Sequence, residues 1–185
     1  MTSKKEQTHQ RMLESMHQTF RQHGYNGVGV NALANESGVT SGAFYAHFGS
    51  KSGAFQEVVT EGVHQLDEAI KQFQESYADN WLEQFVSFYM SEKRRCDLRQ
   101  SCALQSLTPE VTRAGEEIRE VFQNELLTVI ETFNKGATSS SSKGSNDHAW
   151  ATLATLIGGV TLARAVKDTV LADEIANAVQ KAITV

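Results

Sequence analysis

A chain of 185 residues with 40% hydrophobic content is long enough to bury a core and too apolar for a disordered tail. Its formal charge of −5 argues against a uniformly basic nucleic-acid-coating protein, and two cysteines are too few for a disulfide-framed secreted module. No run of about 18 apolar residues occurs and the opening MTSKKEQTHQ lacks an apolar export segment, so a cytoplasmic protein without a membrane partner is expected. One proline, Pro109, among abundant Ala, Gln, Glu and Leu predicts an all-α fold.

Charge is unevenly placed. Over residues 1–60, Lys4, Lys5, Arg11, Arg21 and Lys51 outnumber Glu6, Glu14, Glu36 and Glu57 by one, leaving −6 on the remainder. A weakly positive start on an acidic body can still meet DNA through a local patch.

Residues 1–6 read as a frayed polar arm. A first helix is predicted over 7–23, with Met12, Met16 and Phe20 at spacing four, Leu13 beside them, and Gly24 as its stop. A loop follows to Gly29. Val30, Leu33 and Ala34 share one face of a second, short helix, which Gly38 terminates. Thr40 then offers a side-chain oxygen to cap a third helix carrying Ala43, Phe44, Ala46, His47 and Phe48. Two short helices around a glycine turn form a helix-turn-helix, whose second helix fits the major groove of double-stranded DNA.

The string GVTSGAFYAHFGSK, residues 38–51, resembles the turn and recognition helix of the TetR family of bacterial transcriptional regulators. Gly38, Val39, Gly42, Tyr45, His47, Phe48, Ser50 and Lys51 match the family pattern, and Thr40 stands where Ser is usual. Arg11, Phe20, Gly24, Tyr25, Val30 and Ala34 extend the likeness, which covers about residues 9–60. Gly29 departs from it, replacing the usual Thr or Ser cap at a cost of only a few tenths of a kcal/mol against Ser. The resemblance implies a helix-turn-helix head over 1–50 and a body for effector binding and dimerisation over 51–185. It implies that Thr40, Ser41 and Ala43 face base edges, while Tyr45, His47 and Lys51 contact phosphates and so set register. Gly42 either lets the backbone approach DNA closely or packs against the first helix.

The fourth helix is predicted from Ser50 to about residue 77, with Phe55, Val59, Val63, Leu66 and Ile70 as its buried stripe. A fifth carries Trp81, Leu82, Phe85, Val86, Phe88 and Tyr89 and is interrupted by the run KRRCD at 93–97. A short helix over 98–106 follows. Thr108-Pro109-Glu110 predicts a fresh helix start, with Val111, Ala114, Ile118, Phe122, Leu126, Val129 and Phe133 on its inner side. Residues 136–147 read as a flexible link. Residues 148–167 and 173–183 give two last helices, and Leu156, Gly159, Leu162, Ala163, Val166, Ile175 and Val179 are candidates for a subunit interface. The resemblance adds that such proteins dimerise through these two helices.

Trp81, Phe85, Phe88, Tyr89, Phe122 and Trp150 are candidates for an apolar effector pocket, or for ordinary core. Cys96, flanked by Lys93, Arg94, Arg95 and Arg99, is a candidate redox or electrophile sensor, with Cys102 as a second thiol. The histidines lack metal-ligand spacing, and there is no Walker loop, dinucleotide fingerprint or catalytic constellation, so no metal, cofactor or enzyme activity is expected. The sequence therefore describes a homodimeric regulator, a repressor or an activator, that binds a palindromic operator and responds to a small molecule. The competing readings are a cysteine-based sensor and a helical small-molecule-binding protein without DNA recognition.

Overall fold

The computed structural model describes residues 3–136 and 146–184. Among them are nine α-helices and no strand: α1 Lys4–His23, α2 Val30–Glu36, α3 Ser41–Phe48, α4 Lys51–Tyr77, α5 Trp81–Phe88, α6 Ala103–Thr112, α7 Glu116–Lys135, α8 Asn146–Ala165 and α9 Thr169–Thr184. The fold is all-α, with short helices at the amino-terminal end and a larger helical body. Two compact units emerge, one of Met1–Gly62 with Leu98–Phe122, the other of Val63–Asp97 with Gln123–Val185. The head expected over 1–50 falls inside the first unit.

The first unit is built on aromatic packing. Met12, Met16 and Phe20 from α1, Leu33 from α2, Phe44 from α3 and Phe55 from α4 are all fully buried in one cluster. The Phe20 and Phe55 rings meet edge to face at 5.2 Å, and Phe44 lies 5.5 Å from Phe48. Leu107 and Val111 of α6 and Ile118 of α7 close the same cluster. Burying a side chain of this size is worth about 1.5–3 kcal/mol, so α2 and α3 are held by their neighbours rather than by propensity.

Three local expectations are corrected. The arm over 1–6 is helical from Lys4, because Ser3 and Glu6 form a capping box: the Ser3 hydroxyl accepts from the Glu6 amide at 3.2 Å and the Glu6 carboxylate accepts from the Ser3 amide at 2.6 Å. Those bonds hold the Glu6 carboxyl below its ordinary range. Thr108-Pro109 does not start a helix; Pro109 lies inside α6, and Thr108 turns its hydroxyl back to the Leu104 carbonyl at 2.6 Å. The break comes instead at residues 113–115, so the predicted inner stripe is divided between α6 and α7. The last helix begins at Thr169, four residues early, because the Asp168 carboxylate accepts from the amides of Val170 and Leu171. Most of the predicted 136–147 link lies outside the described residues, although Asn146 and Asp147 are already helical.

In the second unit, Val63, Leu66 and Ile70 complete the α4 stripe. Trp81 meets Phe133 edge to face at 4.9 Å and donates its indole N–H to the Gly136 carbonyl at 2.8 Å. α8 packs along α9, and a side chain added at Gly159 would stand 2.5 Å from Val179 Cγ2. α5 continues through a π-helical segment, Tyr89–Lys93, whose wider turn ends at the KRRCD run.

One buried group is at odds with its surroundings. His17, 4% exposed, has no hydrogen-bond partner for either ring nitrogen among the described residues. Loss of hydration, helped by the charge of Arg21, pushes its imidazole down from 6.5 to about 3. The folded chain therefore keeps His17 neutral while the unfolded chain takes up a proton. Its contribution to stability is fully present above about pH 6.5 and is lost as pH falls towards 3, by roughly 1.4 kcal/mol per pH unit. Thermal unfolding between pH 7.5 and 4 should show a falling midpoint, with a shallower fall in His17→Leu. Equal slopes in the two proteins would assign the acid sensitivity to other groups.

Candidate nucleic-acid interface

The turn between α2 and α3 is held by its backbone. Ser37 donates its hydroxyl to the Leu33 carbonyl at 2.8 Å, and the Val39 amide reaches back to Ala34 at 2.9 Å. Between them Gly38 sits at φ +67°, where an L side chain costs roughly 1–2 kcal/mol. Thr40 Oγ1 accepts from the Ala43 amide at 3.2 Å and so caps α3. The other first-turn amides have no partner within the helix, as at any N-terminus. Ser50 caps α4 in the same way, accepting from the Gly53 amide at 2.9 Å.

These anchors orient α3. Phe44 and Phe48 point into the core, while Gly42, Tyr45 and Ala46 lie on the opposite, exposed stripe. Tyr45 is 50% exposed, with its ring edge-on to Phe44. A Cβ added at Gly42 would meet only the Thr40 hydroxyl, at 3.8 Å, so this glycine is not required by packing against α1. Ser41 and Ala43 are half-buried at the edge of the stripe. Ser41 donates its hydroxyl to Asn31 Oδ1 of α2 at 2.8 Å, which ties the two helices together. Lys51 holds its ammonium 4.3 Å above the Tyr25 ring.

His47 is half-buried, and its Nδ1 lies 3.4 Å from Nδ1 of His9 on α1. The Nε2 of His9 is 2.7 Å from a Glu57 carboxylate oxygen on α4, and the His9 ring stacks on Phe48 at 4.5 Å. Sequence reasoning missed Asn31, His9 and Glu57. No periodic signal marks them, since each matters only through a partner on another helix.

The other candidate sites fare differently. Trp81, Phe85 and Tyr89 are buried and ring-packed in the second unit, and half-buried Phe88 contacts Phe73 and Tyr89. Phe122 packs on the core of the first unit, and Trp150 is 37% exposed on α8. A cavity of about 380 Å³ opens beside Arg94, Cys96, Arg164 and Asp173. There Arg164 donates to the carbonyls of Lys93, Arg94 and Cys96, each at 3.0 Å, and its guanidinium lies 3.8 Å from the Cys96 sulfur. Asp173 accepts from Arg95 at 2.8 Å and from Arg94, and the two guanidinium groups hold its carboxyl below the ordinary range. Cys96 is a half-buried free thiol, whereas Cys102 is buried at the start of α6.

The candidate interface residues divide by face. Leu156, Gly159 and Ala163 are buried within their own chain, and Val166, Ile175 and Val179 are half-buried. Leu162, 61% exposed, lies on the outer face of α8 with Trp150, Ala154, Gly158 and Ala165.

The head sequence and the fold both have known counterparts. Residues 13–58 match the model of bacterial regulatory proteins of the TetR family. The transcriptional repressor AcnR of Corynebacterium glutamicum is 32% identical over 63 residues, 34% of each chain, so the match spans about a third of this relative's length. A TetR-family regulator of Cytophaga hutchinsonii has the same fold with a TM-score of 0.80 at 17% identity, covering 100% of this chain and 96% of its own. Escherichia coli NemR in its reduced form gives a TM-score of 0.77 at 17% identity, covering 96% and 95%. With α3 capped and facing outward, residues 13–58 are similar to the amino-terminal region of bacterial regulatory proteins of the TetR family, and the chain shares the fold of the two solved structures.

Proposed function

We propose that this protein is a homodimeric transcriptional repressor that grips a palindromic operator with two copies of α3 and releases it when a small molecule binds the body. The observation that carries the reading is the exposed stripe Gly42, Tyr45 and Ala46, set opposite two buried phenylalanines on a helix with an intact cap. Tyr45 and Lys51 act on phosphates, and the first-turn amides of α3 add a partial positive charge there. Gly42 admits the DNA backbone closely, since nothing inside the chain requires the missing Cβ.

Base reading is thin. Ala43 offers a methyl to thymine, and the Ser41 hydroxyl is already given to Asn31. Half-site spacing and DNA shape then supply much of the specificity, which makes the dimer part of the recognition. The outer face of α8 suits a two-fold interface, because Ala154, Gly158 and Ala165 permit close approach beside the apolar Trp150 and Leu162. The effector site that fits best is the basic cavity beside Arg164 rather than the packed aromatic cluster.

A second reading is favoured by Cys96, whose sulfur lies at that cavity beside the Arg164 guanidinium. An electrophile such as a maleimide would be joined there: the sulfur bonds to the alkene carbon, the double bond opens, and the thiol proton ends on the neighbouring carbon. The cavity then reports covalent modification rather than reversible binding.

Footprinting on genomic operator candidates should reveal a protected palindrome; complete absence of specific protection would leave only the helical binding-protein reading. Tyr45→Phe and Lys51→Ala should each weaken binding while preserving helicity, and Lys51→Ala should lower the salt slope by about one. Gly42→Ala should fold at least as stably as the parent, because Ala is the better helix former by about 1 kcal/mol, yet bind operator more weakly. Unchanged affinity would remove the close-approach role.

Sedimentation should give a dimer that Gly158→Arg converts to folded monomers. A monomeric parent would refute the interface. N-ethylmaleimide should release DNA from the parent and not from Cys96→Ser under the second reading, whereas release from both would place the reactive group elsewhere.

A further inference from the structure

The recognition helix is wired to two side chains outside it. His47 Nδ1 faces His9 Nδ1 at 3.4 Å, and His9 Nε2 faces the Glu57 carboxylate at 2.7 Å. The three residues come from α3, α1 and α4 and form one chain of contacts ending on the helix that carries Gly42 and Tyr45. We propose that His9 and Glu57 are positioning residues for a phosphate contact made by His47, and that the head takes up one proton when it engages DNA.

The two rings carry a limited number of hydrogens. A carboxylate only accepts, so its contact requires a hydrogen on His9 Nε2. The contact between the two Nδ1 atoms requires one hydrogen, on either ring. Together these use two hydrogens, which is what two neutral imidazoles carry. The remaining nitrogen, His47 Nε2, is then a bare lone pair. A phosphate oxygen also only accepts, so contact with it requires a third hydrogen on that nitrogen. Three hydrogens on two rings make one cation, shared by the pair rather than owned by either ring. The proton comes from solvent, and the ionised Glu57 at the far end of the chain stabilises the charge it brings.

A lone histidine would not behave this way. With its Nδ1 unclaimed, neutral His47 could place its single hydrogen on Nε2 and meet the phosphate without gaining charge. His9 removes that option and converts a neutral contact into a charge-assisted one. The charged groups nearest in sequence to the three residues lie two to four positions away, Arg11 among them on α1. Lys5 and Glu6 precede His9 on α1, with Glu6 engaged by Ser3; Lys51 follows His47 and sits over Tyr25; Glu61 follows Glu57 on α4. The carboxylate in contact with the pair is Glu57.

The inference rests on the operator-binding reading, and the test separates the two. Dissociation constants for the footprinted operator are measured from pH 5.5 to 8.5 at constant salt, using the full-length chain. In the parent, affinity should fall as pH rises, approaching tenfold per pH unit per head on the alkaline side. His9→Phe keeps the ring stack on Phe48 and removes both nitrogens, so it should bind with a markedly flatter profile. Glu57→Gln should move the fall to lower pH, and His47→Gln should bind weakly with no such dependence. Circular dichroism of each variant checks that the head is folded. A flat profile in the parent, or the parent's profile retained in folded His9→Phe, would overturn the relay while leaving operator binding intact. Absence of specific binding at every pH would instead overturn the reading beneath it.

Discussion

Everything the head does depends on burial of its aromatic residues around α1. α2 has seven residues and α3 has eight, too few to remain helical alone in water. They persist because Leu33, Phe44 and Phe48 share a core with Met12, Met16, Phe20 and Phe55. Replacing Phe44 or Phe48 by Ala removes about 3–5 kcal/mol from a domain whose whole margin is of that order. Orientation follows from the same contacts: once these rings are inside, Gly42, Tyr45 and Ala46 have to face out.

Polar groups refine what the core orients. The Ser41 to Asn31 bond ties the recognition helix to its partner at one edge, and the His47, His9 and Glu57 chain ties it to α1 and α4. If α3 docks on DNA as proposed, a surface held from several sides loses little side-chain entropy on binding, which favours phosphate contacts made by few groups. In the proposed complex it would also limit direct base reading, because a hydroxyl already donated to Asn31 must break a bond before it can donate to a base. The proposed dependence on DNA shape and half-site spacing is the counterpart of that economy.

In the second unit the aromatic residues have another task. Trp81, Phe85, Phe133 and Phe73 interlock edge to face or tilted, and such rings leave little room for a ligand unless they move. One cavity lies beside charged groups that are already paired, Arg94 and Arg95 with Asp173 and Arg164 with three carbonyls. A ligand there must exchange for existing bonds. The differential affinity between two arrangements of this corner is what a signal would need in order to shift a population.

Local order was legible along the chain wherever a short-range rule governs it. The stripes Met12, Met16, Phe20 and Phe55, Val59, Val63, the Gly38 turn and the Thr40 cap follow from spacing and backbone sterics within a few residues, and the structure has each of them. Where two local signals competed, the weaker-looking one sometimes prevailed: Thr108-Pro109 has the makings of a helix start, yet the apolar residues Leu104, Leu107 and Val111 carry one helix through it into the core. What no linear pattern carried was pairing between distant residues. His9 finds Glu57 across 48 positions, Gly159 faces Val179 within its own chain, and Trp81 meets Phe133 across 52. Periodicity assigns a residue to a face of its helix, but only packing determines which neighbour that face meets.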